Sequence, residues 1–157
     1  MNQPFDYIEM KIPAKPEYVG VIRLTLSGIA SRMGFSYEAL EDLKIALSEA
    51  CTNAVQHAYK KNEQGEVLIG FGLFTDHLEV MVADHGDSFN FEAARKETGP
   101  YRQDDSAEFL REGGLGLYLI ETLMDEVRIH HQKGVTVFMT KYLEGEQVES
   151  DVETIST

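Results

Sequence analysis

The sequence predicts an α/β domain, and three observations carry that prediction. Short runs with period-two alternation stand among longer runs with helical periodicity. Two pairs of strand-like runs are joined by short turns of the kind that close hairpins. One helical stretch, LSEACTNAVQHAY at residues 47–59, carries both an apolar face and a separate polar row. A chain of 157 residues suits one domain with a sizeable core. Its 43% apolar and 26% charged content is that of an ordinary globular protein.

The elements follow in order. Residues 5–13 alternate, with Ile8, Met10 and Ile12 on one side and Glu9 and Lys11 on the other, which predicts a strand with one buried face. Pro13 and Pro16 end it, and Pro16 suits a first helical turn. Residues 17–33 predict a first helix striped by Val19, Ile22, Leu26, Ile29, Ala30 and Met33. Arg23 interrupts its apolar middle, GVIRLTLSGIA. Two uses fit this residue: a snorkelling surface side chain, or part of a protein–protein interface, where Arg is enriched. Gly34 stops the helix and Ser36 caps the next. That second helix runs through Leu40, Leu43 and Leu47 to about residue 59.

Within the second helix, Leu47, Ala50, Cys51, Ala54, Val55 and Ala58 form the apolar face. Glu49, Asn53 and His57 stand four residues apart, so their side chains stack along one row. Such a row serves either as the wet side of an amphipathic helix or as a carboxylate and a carboxamide held in register above a pocket. Asn propagates helix poorly, so a mid-helix Asn points to a specific bonding partner. Cys51 lies on the apolar face and reads as a small core residue.

Residues 66–74 and 78–83 predict a hairpin turned at Thr75–Asp76. Its second strand runs out into Asp84 and Gly86, which sets a carboxylate at a sheet edge beside permissive backbone. Residues of about 87–112 lose periodicity, as a mobile lid does. Next come Gly113, Gly114, Leu115 and Gly116, followed by a helix through Ile120, Leu123, Met124 and Val127. Glycines ahead of a helix serve as a hinge or bring backbone N–H groups to an anion. The run is no P-loop, because no Lys-Ser/Thr pair follows, and it lacks the third glycine of a dinucleotide fingerprint. Residues 127–131 and 135–143 predict the last two strands, turned at Lys133-Gly134, with Thr136 just inside the final one. The acidic stretch 144–157 has little to bury and reads as a loosely ordered tail.

Composition excludes several classes of function. A formal net charge of −13 argues against DNA or RNA as the main partner. It leaves room for a nucleotide, since one Mg²⁺ and a helix N-terminus manage phosphate charge locally. No run of about 18 apolar residues is present to span a membrane. The start, MNQPFDYIEMK, has no secretory pattern. Cys51 is the sole cysteine, which precludes an internal disulfide and fits a cytoplasmic protein. No Cys/His cluster has zinc spacing.

Four pieces then point to one ligand: Glu49 and Asn53 on a helix, Asp84 and Gly86 at a strand end, the glycine run at 113–116, and Thr136 on a late strand. In type and order they resemble the Bergerat-fold ATP-binding domain of gyrase, sensor histidine kinases and MutL, the GHKL superfamily, over residues of about 40–140. The resemblance implies a two-layer α/β (α+β) sandwich, its mixed, mostly antiparallel sheet covered by helices on one face. It implies one ATP-binding kinase domain over residues 1–143. It further implies that Asn53 coordinates Mg²⁺ and that Asp84 accepts a hydrogen bond from the adenine amino group of ATP. Gly86 would let the adenine approach, Thr136 would support that contact, and Gly113, Gly114, Leu115 and Gly116 would cradle the phosphates. The family's box is usually Asp-x-Gly-x-Gly; here Ser88 stands in place of the second glycine. Glu49, one turn before Asn53, is placed to take a proton from an attacking hydroxyl at about 2.6–3.2 Å.

Over nearly its full length the sequence is similar to the anti-sigma factor/serine-protein kinase family of the RsbW type. PEYVGVIRLTLSGIASRMG, DLKIALSEACTNAVQHAY and EGGLGLYLIETLMDEV carry that similarity. It implies a switch with two protein partners: an alternative, stress-response sigma factor that is sequestered, and an anti-anti-sigma protein that is phosphorylated on serine. A homodimer is implied as well. Two competing readings are a non-catalytic module that binds ATP and only sequesters, and a histidine-kinase-like or water-directed ATPase. Glu49 argues against the first, since a pure binder needs no base. With no transducer segment in the sequence, hydrolysis would be coupled to nothing, which argues against the second.

Overall fold

The computed structural model describes residues 3–61, 65–84, 117–131 and 134–143. Five strands form one sheet: β1 (Asp6–Pro13), β2 (Glu66–Leu73), β3 (His77–Ala83), β4 (Glu126–His131) and β5 (Val135–Tyr142). Their order across the sheet is β1-β2-β3-β5-β4, so β5, last of the five in sequence, inserts between β3 and β4. All four ladders among the described strands are antiparallel, in keeping with the mostly antiparallel sheet the resemblance implied.

Two long helices and one short one accompany the sheet. A 3-10 turn at Pro16–Tyr18 leads into α1 (Val19–Met33), and α2 is Tyr37–Lys61. Residues 117–123 form α3. The α1 stripe is buried as the spacing predicts, with Ile22, Leu26 and Ala30 fully covered. Gly34 ends α1 at φ 97°, a left-handed conformation that costs glycine little. Its N–H bonds back to the carbonyls of Ala30 and Ser31, both at 3.1 Å. The Ser36 hydroxyl then accepts the Ala39 N–H at 3.1 Å and opens α2. Three small residues on the buried face of α2, Ala46, Ala50 and Ala54, let the helix lie close to the sheet. Cys51 is fully buried there, and burial pushes its thiol pKa well above the usual range.

Strand alternation divides the sheet into two faces. Leu78, Val80 and Val82 of β3, with Val135, Val137 and Met139 of β5, join the helices in the main core. On the other face Leu68, Met81, Ala83 and Phe138 form a smaller cluster. There Glu79, almost wholly buried, pairs with Arg128 at 3.3 Å, and the guanidinium lies 5.8 Å from the Phe138 ring centre.

Two sequence readings need correction. Ile8 was expected to be buried, but it is 40% exposed, on a strand at the edge of the sheet where little among the described residues covers it. The third helix was expected to reach Val127. It ends at residue 123, where the Asp125 N–H turns to the Thr140 carbonyl at 2.9 Å, and Val127 belongs to β4. Residues 87–112 and 144–157, expected as lid and tail, lie outside the described residues. No described helix is long and apolar enough to cross a membrane.

Candidate functional site

Glu49 and Asn53 sit one turn apart on α2, and both are half-buried. At about 100° per residue they border the buried stripe rather than oppose it. α1 packs along the other border, where Arg23 Nη1 donates to Ser48 Oγ at 3.4 Å. The flank bearing Glu49 and Asn53 thus faces away from α1. Asn53 Nδ2 is buried and has no hydrogen-bond partner among the described residues. Such an orphaned amide costs about 1–3 kcal/mol. Turning the carboxamide over exchanges its ends, so the same place offers a donor to a phosphate oxygen or an oxygen to a cation. No cluster of three or more Asp, Glu, His or Cys able to hold a metal exists among the described residues. Mg²⁺ takes one or two protein ligands and completes its shell with phosphate and water. Asn53 fits the role of such a ligand.

Asp84 follows directly on β3 and is 8% exposed. Its backbone N–H donates to the Val135 carbonyl at 3.2 Å. The Val135 N–H donates in turn to Asp84 Oδ1 at 3.0 Å. The side chain thereby takes the place of a backbone carbonyl in the last rung of the β3–β5 ladder. The carboxylate is thus fixed by the sheet itself.

Thr136 stands just inside β5, as expected. It pairs with Ala83 on one side and His130 on the other, and it is almost wholly buried. Alternation along β5 puts it on the face of Ala83, Met81 and Phe138, away from α2. Val135, not Thr136, stands across from Asp84 on the helix side.

The remaining geometry gathers the site at one end of the sheet. Lys141, near the end of β5, lies about 20 Å from Val135 along the strand. Lys141 Nζ is 3.6 Å from Asp42 Oδ2 on α2. It also donates to the Leu123 carbonyl at 2.7 Å, the last residue of α3. From Asp42, α2 carries Glu49 about 10 Å and Asn53 about 16 Å further along its axis, toward the Asp84 end. α3 has its last residue at the Lys141 end, and its Leu117 and Ile120 are fully buried in the main core. Gly86, Gly113, Gly114, Leu115 and Gly116 themselves lie outside the described residues, as do Arg111 and the side chain of His57.

The class of the domain is given by its family profile. The profile of the histidine kinase-like ATPase domain matches residues 12–141. The chain is 65% identical to the serine-protein kinase RsbW of Bacillus subtilis over 96% of its length and 94% of the relative's. It is 62% identical to the RsbW of Oceanobacillus iheyensis, covering 98% of this chain and 97% of that one. A crystal structure of RsbU and RsbW domains from Mycobacterium tuberculosis superposes with a TM-score of 0.62 at 22% identity. It covers 89% of this chain, which spans 33% of that longer one, and it speaks to the fold alone. The chain belongs to the RsbW family of serine-protein kinases, which is built on the histidine kinase-like ATPase domain.

Three residues escaped sequence reasoning: Val135 as partner of Asp84, and Lys141 with Asp42 at the far end. Alternation held the signal for two of them. In VTVFMTKY, Val135, Val137, Met139 and Lys141 share a face, so a lysine stands in the core-facing row. The same alternation separates Thr136 from Val135.

Proposed function

We propose that this chain binds Mg-ATP at the Asp84 end of the sheet and transfers the γ-phosphoryl group to a serine of an anti-anti-sigma protein, which then no longer binds and leaves the chain free to sequester an alternative sigma factor. The observation that carries the proposal is the buried Asn53 amide, unpartnered among the described residues, on the flank it shares with Glu49. Family membership at high identity over nearly the whole chain supports it.

Each residue has a chemical task in this reading. Asp84, held through Oδ1 by the Val135 N–H, turns its remaining acceptor capacity to the adenine amino group. Asn53 holds Mg²⁺, which when bound spreads and neutralises charge on the phosphate oxygens. Gly113, Gly114 and Gly116, with Leu115 between them, supply backbone N–H groups to those oxygens, and Gly86 leaves room for the base. Glu49 accepts the proton of the serine hydroxyl as it attacks. Phosphoryl transfer asks for little more than such positioning and charge.

The exposed side of α1 is the proposed partner surface. Val21 is 46% and Leu24 76% exposed, and Arg23 lies between them over a shallow groove lined by Glu17, Gly20 and Lys44. Exposed aliphatics around an arginine are the composition of a protein-binding patch. A homodimer, a stress-response role and a cytoplasmic setting complete the reading.

Transfer of label from γ-labelled ATP to the anti-anti-sigma protein tests it. Wild type should yield an acid-stable phosphoester. Glu49→Gln should bind ATP yet lose transfer by about 10²–10⁴-fold, and Asn53→Ala should lose Mg-ATP binding. Unchanged nucleotide affinity in Asn53→Ala would break the site assignment. Acid-labile label would point to histidine or aspartate transfer instead.

A further inference from the structure

We propose that Lys141 is a positioning residue that sets nucleotide affinity from the end of the sheet opposite the site. The inference rests on the reading above, in which α2 and the approach to α3 both face the phosphates. Lys141 occupies the core-facing row of β5, and its side chain is only 11% exposed. A lysine in such a row is costly unless its ammonium finds acceptors. It finds two, on two different elements: the Leu123 carbonyl at 2.7 Å and Asp42 Oδ2 at 3.6 Å.

The placement of those acceptors gives the lysine more than a packing role. Leu123 closes α3, and a cation at a helix C-terminus is favoured by the aligned peptide dipoles. Asp42 lies on the same flank of α2 as Glu49 and Asn53, about two turns before Glu49. One ammonium therefore joins β5, the functional flank of α2 and the end of the helix that follows the glycine run. A rigid helix pinned at its last carbonyl transmits a shift there to its first turn, and small misplacements at a reacting centre weigh heavily. The nearby turn has its own clasp, since the Tyr142 N–H donates to Asp125 Oδ2 at 2.7 Å. Loss of the lysine should loosen the register of α3 against α2 without undoing the chain reversal.

The test compares wild type with Lys141→Met, which keeps most of the aliphatic stem, and with Lys141→Arg, which keeps the charge. KM for ATP, kcat at saturating ATP, the Kd of a non-hydrolysable ATP analogue, and Tm are measured on each full chain. The expected result for Lys141→Met is a rise of about tenfold in KM and in the analogue Kd, with kcat within about twofold. Lys141→Arg should restore most of the affinity. Asp42→Asn should raise KM in the same direction, and the double variant should be less than additive. A lowered Tm with unchanged KM and Kd would overturn the proposal, leaving Lys141 a purely structural residue. Full additivity of the two substitutions would overturn it as well. Should Lys141→Met fail to fold, Asp42→Asn, at the more exposed partner, carries the same KM test. Absence of ATP binding in wild type would instead overturn the functional reading on which this one rests, so the two failures are distinct.

Discussion

At Asp84, one carboxylate oxygen receives the Val135 N–H at 3.0 Å, so alanine and asparagine should have different effects there. Asp84→Ala strands a buried donor and should cost about 1–3 kcal/mol in stability, read by denaturant unfolding. Asp84→Asn can keep the bond to Val135 through its amide oxygen. Its other end is a donor, which repels an adenine amino group rather than accepting from it. That variant should unfold near wild type yet lose ATP affinity, measured by titration calorimetry. Equal affinity in Asp84→Asn and wild type would remove the aspartate from base recognition. At this scale the sequence was readable where chemistry and period agreed. Glu49 and Asn53 stand where four-residue spacing put them, and Cys51 is buried as its apolar neighbours required. Thr136 stands just inside the last strand as expected, but a motif names a residue type and not a sheet face. Only the register with Ala83 decides which way its hydroxyl leaves the strand.

The elements themselves follow from local chemistry. α1 stops at Gly34 because a residue at φ 97° is needed to return N–H groups to Ala30 and Ser31. Gly34→Ala should therefore cost about 1–2 kcal/mol, with a lowered Tm and unchanged ATP affinity. Ser36→Ala should cost about 1 kcal/mol by removing the acceptor for the Ala39 N–H. A Gly34→Ala protein as stable as wild type would mean that the turn relaxes to a right-handed form. The end of α3 was less legible. The periodicity of IETLMDEV runs on through Val127, and the tertiary bond from Asp125 to the Thr140 carbonyl breaks the helix earlier. β1 was misjudged for a related reason: alternation in Ile8, Met10 and Ile12 announces a face, but not how far the covering helices extend over it.

For the molecule as a whole, ligand linkage gives the broadest check. A nucleotide that binds the native chain alone adds about 2.7 kcal/mol at a hundredfold excess over Kd. Mg-ATP should accordingly raise Tm by several degrees. Removal of Mg²⁺ by a chelator should reverse most of that rise, abolish phosphoryl transfer, and be undone by added Mg²⁺. A shift that persists without divalent cation would separate adenine binding from the metal and place the burden on Asp84 alone. The strand order adds a consequence of another kind. β2 and β3 can assemble as a hairpin from neighbouring segments, but β1 joins β2 only across the two helices between them, and β4 has no strand to pair with until β5 fills the slot between it and β3. The bond that locks Asp84 spans 51 residues of chain. Such long-range closure comes late and slowly in folding. On the ribosome, then, the strand that completes the sheet also completes the ligand pocket, and a chain not yet synthesised through β5 has neither.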